Sequence, residues 1–164
     1  MSRGLGDVYK RQILSDTHRN QKYMDKAIKN LKDCNLLIHA GDNFVDSKYL
    51  YNETDIPVIA VKGNCDFENV EDELIFDIDN KKVFLCHGDS YEVKYGLECI
   101  EKKAKEVNAD IVIFGHTHIP LNTKKDNILY INPGSLSSPR DLSRRGFIIL
   151  NIKDNDINIE DIII

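Results

Sequence analysis

The chain has 164 residues, the size of one ordinary domain and long enough to bury a core. Hydrophobic residues make up 41% and charged residues 30%, a globular balance that excludes disorder; 22 basic against 27 acidic residues leave a formal net charge of −5. That sign gives no electrostatic reason to bind nucleic acid or an anionic membrane. No apolar run reaches the length of a membrane span, and the N-terminus lacks the apolar core of a signal peptide. The cysteines Cys34, Cys65, Cys86 and Cys99 form no CxxC pair, so neither a zinc knuckle nor a disulfide scaffold is expected. A reduced, cytoplasmic, single-domain protein is the default.

Met1–Gln12 is unlike the rest. A strand is expected to lead into Ser15-Asp16, yet only Ile13 and Leu14 beside it are apolar, and Lys10, Arg11 and Gln12 are poor material for a central strand. Two readings stand. Either residues 1–12 are a non-native, artefactual N-terminus ahead of a single domain over 13–164, or they form a polar edge strand.

Met24, Ile28 and Leu31 share one face of a first amphipathic helix. The apolar runs Leu36–Ala40, Val58–Val61, Val83–Cys86 and Ile111–Phe114 each stop at a glycine motif and read as strands buried on both faces. Leu97, Ile100, Ala104 and Val107 mark another helix. Asp79-Asn80, Asp126-Asn127 and Asp154-Asn155 are expected hairpin turns. Ile128–Ile131, Gly146–Ile152 and Ile157–Ile164 make the last third strand-rich. This order predicts one α/β domain with two sheets.

The polar residues fall at the strand ends: Asp16 and His18, then Asp42, Asn64, His87, and finally His116 and His118. Ligands of open α/β sheets bind at the carboxyl ends of strands, so these seven N and O donors converge on one crevice. Seven exceed what one ion needs and suit two ions sharing a carboxylate. Such a pair clamps the attacking and leaving oxygens of a phosphoryl displacement and provides hydroxide near neutral pH. Imidazole with Asp and Asn oxygen, and no thiolate, favours manganese, iron or zinc. His39 lies in a strand interior, as a core histidine or a neighbour supporting Asp42.

Asp16-Thr17-His18, Gly41-Asp42, Gly63-Asn64, His87-Gly88 and Gly115-His116-Thr117-His118 together resemble, in order, the motif series of calcineurin-like metallophosphoesterases. Val93–Leu97 and Ile131–Ser135 are similar to the small bacterial and archaeal phosphodiesterase branch. The resemblance implies a four-layer α-β-β-α sandwich of two mixed sheets. It implies two divalent ions, manganese first, with iron, zinc or nickel as alternatives. Asp16, His18 and His118 would hold one ion, Asn64, His87 and His116 the other, and Asp42 would bridge them. A bridging hydroxide would attack phosphorus in line while the ions and Asn64 stabilise the phosphoryl oxygens. Asp66 would orient a ligand. The implied substrate is a small-molecule phosphodiester, and relatives commonly self-associate, so a homo-oligomer is admitted.

Two positions depart from the fullest family pattern. Cys65 stands where many relatives carry a leaving-group histidine, and Asp89 stands where many have the second His of His-Gly-His. Loss of a positioned acid costs about 10²–10⁴ in rate, felt mainly with poor leaving groups. The Asn132–Ser135 segment reads as a tight turn rather than a phosphate cradle, and Arg140, Arg144 and Arg145 as a solvated loop. Tyr91 and Tyr95 either wall a pocket or pack between sheets. The alternative to an enzyme is a non-catalytic metal-binding scaffold on the same fold, like the small metallophosphoesterase-like subunit of the retromer coat.

Overall fold

The structure is a computed structural model describing residues 9–31 and 33–164. The described residues form strands β1 (Tyr9–Leu14), β2 (Cys34–His39), β3 (Val58–Ala60), β4 (Glu73–Ile78), β5 (Lys81–Cys86), β6 (Ile111–Ile113), β7 (Leu121–Lys125), β8 (Ile128–Asn132), β9 (Gly146–Lys153) and β10 (Asp156–Ile163). Helices are α1 (Gln21–Lys29), α2 (Asp46–Thr54) and α3 (Glu98–Glu106). One five-stranded sheet runs β10-β9-β1-β2-β3 and the other β4-β5-β6-β8-β7. Both are mixed: β1, β2 and β3 are parallel, as are β5, β6 and β8, with antiparallel strands at the flanks.

Alternation along the strands produces four layers. Ile13, Val83, Leu85, Ile111, Ile113 and Ile148 point into the core between the sheets. Their neighbours Phe84, Val112 and Tyr130 pack against Ile100 and Ala104 of α3. Leu14, Leu37, Phe147 and Ile149 pack against Met24 and Ala27 of α1 and Leu50 of α2. Continuous apolar runs were needed because each central strand is covered on both faces. The three Asp-Asn turns all carry positive φ at both residues, as tight hairpins require. Among the described residues no helix is long and apolar enough to cross a membrane.

The reading of Met1–Gln12 as foreign falls largely on residues 1–8, which lie outside the described residues. The polar edge strand is corrected: β1 lies in the middle of its sheet, paired with β2 and β9. Its polar side chains leave by two routes. Arg11 is buried and reaches from the inter-sheet face to Asp79, on the turn between β4 and β5, at 2.7 Å. Gln12 faces the helices, where Nε2 donates to the Ala27 carbonyl at 3.4 Å, while its buried Oε1 has no partner. An unpaired buried acceptor costs about 1–3 kcal/mol. Gln12→Met keeps the volume and removes the acceptor, so chemical denaturation should report a gain of about 1–2 kcal/mol; an unchanged midpoint would mean that Oε1 is already solvated.

Candidate metal centre

The seven polar residues stand just past the carboxyl ends of β1, β2, β3, β5 and β6. Asp16, His18, Asp42, His116 and His118 adopt φ between 45° and 70°. Left-handed backbone is uncommon outside glycine and concentrates where a chain must turn sharply to aim a side chain. Here it folds each loop back so that the side chains meet over the seam between the sheets.

Two groups of donors result. Asp16, His18, Asp42 and His118 each place a ligand atom within 4.8 Å of the others, and so do Asp42, His87 and His116; Asp42 belongs to both. Nε2 of His118 lies 3.1 Å from Asp16 Oδ1, and Nε2 of His87 lies 3.4 Å from Asp42 Oδ2. His18 Nε2 is 3.9 Å from an oxygen of each carboxylate, and His87 Nε2 is 3.1 Å from His116 Nδ1. Asn64 is exposed and shares with His87 the lining of a cavity of about 220 Å3.

Each carboxylate is tied on one side and open on the other. Asp16 Oδ2 accepts from Ser15 Oγ at 2.7 Å and the His116 amide at 3.2 Å, whereas its buried Oδ1 has no hydrogen-bond partner. Asp42 Oδ1 accepts from the Cys65 amide at 3.1 Å, leaving Oδ2 toward His18 and His87. The histidines mirror this. Nδ1 of His87 donates to the Ala40 carbonyl at 2.8 Å and Nδ1 of His118 to the Ser138 carbonyl at 2.6 Å. In the neutral rings, Nε2 is therefore a lone pair, facing a carboxylate oxygen. Lone pairs converging at this range demand a cation between them. The residues fit a metal: imidazole nitrogen with carboxylate oxygen suits borderline transition ions.

Protons fill that role when no metal is bound. Burial pushes His87 down, but the Asp42 hydrogen bond and the charges of Asp16 and Asp42 outweigh it and raise its pKa to about 9. His118 rises for the same reason, Asp16 prevailing over burial. Asp16 and Asp42 are held below the ordinary carboxylate range because their histidine partners overcome desolvation. Burial, then the charges of His87 and Lys94, lowers His116. Burial, then nearby acidic charge, raises the Cys65 thiol and keeps it protonated beside Asp42.

A frame of backbone bonds holds these loops. The Asp66 carboxylate accepts from the amides of Asn43, Phe44 and Gly63 at 2.8–2.9 Å, so it joins the loops after β2 and β3, and both its oxygens are occupied. Gly63 and Gly115 are required by space: a Cβ on Gly63 would fall 2.1 Å from Asp42 Oδ1, and one on Gly115 2.2 Å from Ser15 Oγ. Ser135 and Ser137 both donate to the Asp16 carbonyl, and Asn132 bonds Gly115 and Thr117, so the Asn132–Ser135 turn is a brace. Arg144 and Arg145 belong to the same brace, donating to the carbonyls of Pro133, Leu136 and Ser137, while Arg140 is exposed.

Sequence reasoning missed one buried relay. The Gly41 amide donates to His39 Nδ1 at 3.1 Å, which makes Nε2 the donor to Thr17 Oγ1 at 2.9 Å, and Thr17 in turn donates to the buried Asp46. Burial lowers His39 to about 4, in keeping with this neutral form. Asp46 carried no sequence signal beyond an acidic residue at a helix start.

Residues 10–155 match a family model described as the calcineurin-like phosphoesterase superfamily domain. The Bacillus subtilis (strain 168) protein named Probable metallophosphoesterase YsnB is 32% identical over 145 residues, covering 87% of this chain and 84% of that one. Phosphodiesterase MJ0936 of Methanocaldococcus jannaschii is 32% identical over 141 residues, covering 74% and 81%. Wild-type Vps29 from Entamoeba histolytica, solved as a complex with Zn2+, is similar with a TM-score of 0.75 and 19% identity, covering 94% of this chain and 98% of that one, a likeness of fold.

The sign of the metal-free pH dependence follows from His87. Its folded pKa exceeds the unfolded value of 6.5, so its contribution is fully present below that pH and is lost as pH rises through about 9. The melting temperature of chelator-treated protein should fall by several degrees between pH 6.5 and 9, and manganese or zinc should abolish the fall. Equal slopes with and without metal would place the cation elsewhere.

Proposed function

The chain belongs to the calcineurin-like phosphoesterase superfamily, and from that membership we propose that it hydrolyses phosphodiesters at a dinuclear metal centre. The observation that carries the reading is the sharing of Asp42 between two donor groups, one of which also holds the buried Asp16 Oδ1 that no hydrogen bond satisfies. Asp16, His18 and His118 would hold one divalent ion, Asn64, His87 and His116 the other, and Asp42 both. Once bound, the ions polarise the phosphoryl oxygens and supply hydroxide near neutral pH. The chain's own part is positioning. Bonds to the Ala40 and Ser138 carbonyls fix the imidazole tautomers, Asp66 fixes the backbone beside Asp42 and Asn64, and the Asn64 amide would serve as a donor to the phosphoryl group.

Two features support a diester over a monoester, beside the phosphodiesterase name of one relative. The cavity beside Asn64 and His87 is lined by Asp66, Asp72, Glu73 and Asp89 against one Lys62, surroundings that disfavour the second negative charge of a monoester. A second cavity, beside Thr117 on the other flank, gives both arms of a diester somewhere to lie. Cys65 offers a neutral thiol in place of an imidazole acid, so substrates with good leaving groups should be favoured.

Bis-p-nitrophenyl phosphate with chelator-stripped protein, before and after manganese, tests the reading. Metal should restore cleavage, ahead of p-nitrophenyl phosphate run in parallel. Silence with both esters, in folded protein shown to hold metal, would move the assignment to a metal-binding scaffold. Asp42→Asn should lower turnover by about 100-fold or more with the fold intact by circular dichroism. Cys65→His should speed esters with poor leaving groups by up to about 10²-fold and leave activated ones little changed.

A further inference from the structure

A cavity of about 490 Å3 adjoins the centre on the side of the loop after β6. Its walls are Val93, Leu97, Phe114, Ile119, Pro120 and Leu121, with Thr117 and Asn132 as the polar members between them. Thr117 separates His116 from His118, and the Arg140 amide donates to the His118 carbonyl at 3.2 Å, so the loop that carries the metal-facing histidines forms part of the cavity wall. Lys94 and Arg140 also line it, together with Asp141. Against a chain of net charge −5, this is a local cationic mouth on an apolar chamber.

The uncharged polar groups within the chamber, Asn132 and Thr117, are already engaged. Asn132 Nδ2 donates to the Gly115 carbonyl and to Thr117 Oγ1, and its Oδ1 accepts from the Gly134 amide. Thr117 Oγ1 also bonds the amide and carbonyl of Ile119. A heterocyclic base placed past the charged mouth, among the apolar walls, would bury its edge donors and acceptors without partners, at a cost comparable to a lost hydrogen bond for each. A hydrocarbon arm has no such requirement and gains from every methylene removed from water.

Resting on the phosphodiesterase reading, we propose that this chamber receives the retained arm of the substrate and that the arm is apolar, an alkyl or lipid-like chain rather than a nucleoside. Lys94 and Arg140 then attract the phosphodiester anion at the chamber mouth, and the leaving arm lies toward the small acidic cavity beside Asn64 and Asp89. The shape of the chamber, not hydrogen bonding, sets its preference.

The test is a series of 4-nitrophenyl phosphodiesters with one leaving group and different retained arms: methyl, butyl, hexyl and thymidine-5′. With manganese-loaded protein, kcat/KM should climb by about tenfold or more from methyl to hexyl, chiefly through KM, and the thymidine ester should fall below the hexyl ester. Ile119→Asn should flatten the climb; the wild-type series decides even if that variant folds poorly. Cleavage that is indifferent to the arm, or best with thymidine, overturns the apolar subsite while leaving the phosphodiesterase standing. No cleavage of any member by folded, metal-holding protein overturns both.

Discussion

The molecule is organised around lone pairs that point at one another. Asp16 and Asp42 each commit one carboxylate oxygen to hydrogen-bond donors of the chain and turn the other toward imidazole. His87 and His118 commit Nδ1 to a backbone carbonyl and turn Nε2 toward the same space. Left to themselves these groups repel, and only positive charge reconciles them. The raised imidazoles and lowered carboxylates of the metal-free protein are one consequence, and affinity for divalent ions is another.

Holding such an arrangement requires a stiff frame. The apolar cores on both sides of each sheet fix where β1, β2, β5 and β6 end. Left-handed turns then aim the side chains, and glycines at 63 and 115 let the carboxylates pass close to neighbouring backbone. Bonds from Asp66, Ser135, Ser137 and the His39–Thr17–Asp46 relay satisfy loop groups that would otherwise be buried unpaired. The repulsive centre is thus sustained by many ordinary interactions around it.

Much of this was legible in the sequence because the strands are buried on both faces and end abruptly in polar residues. The runs before Gly41, Gly63, Gly88 and Gly115 gave both the layers and the positions of the polar groups, and the Asp-Asn pairs gave the hairpins. Helix α2 was not legible: among Asp46–Thr54 Leu50 is the buried apolar residue, too little for a periodic pattern. The edge placement offered for β1 failed because Arg11 and Gln12 are accommodated in a central strand by partners remote in sequence, Asp79 and Ala27. Arg144 and Arg145 resemble surface charges until the turn whose carbonyls they bond is in view. In each case the deciding contact is tertiary, and local pattern carries no trace of it.

The two donor groups have one further property. Asp16, His18 and Asp42 hang from one sheet, whereas His87, His116 and His118 hang from the other, and each group draws on both. An ion in either position would therefore rivet the sandwich shut at one end, tethering residues from about 45 to about 100 positions apart in the chain, as a disulfide does in secreted domains. The far end, closed by short hairpin turns, is crossed instead by the ion pair of Arg11 with Asp79, which also joins the two sheets. A sandwich clamped by ions at one end and by a weaker ion pair at the other would yield first at the latter, so metal supply would bear on the mechanical durability of this protein as well as its chemistry.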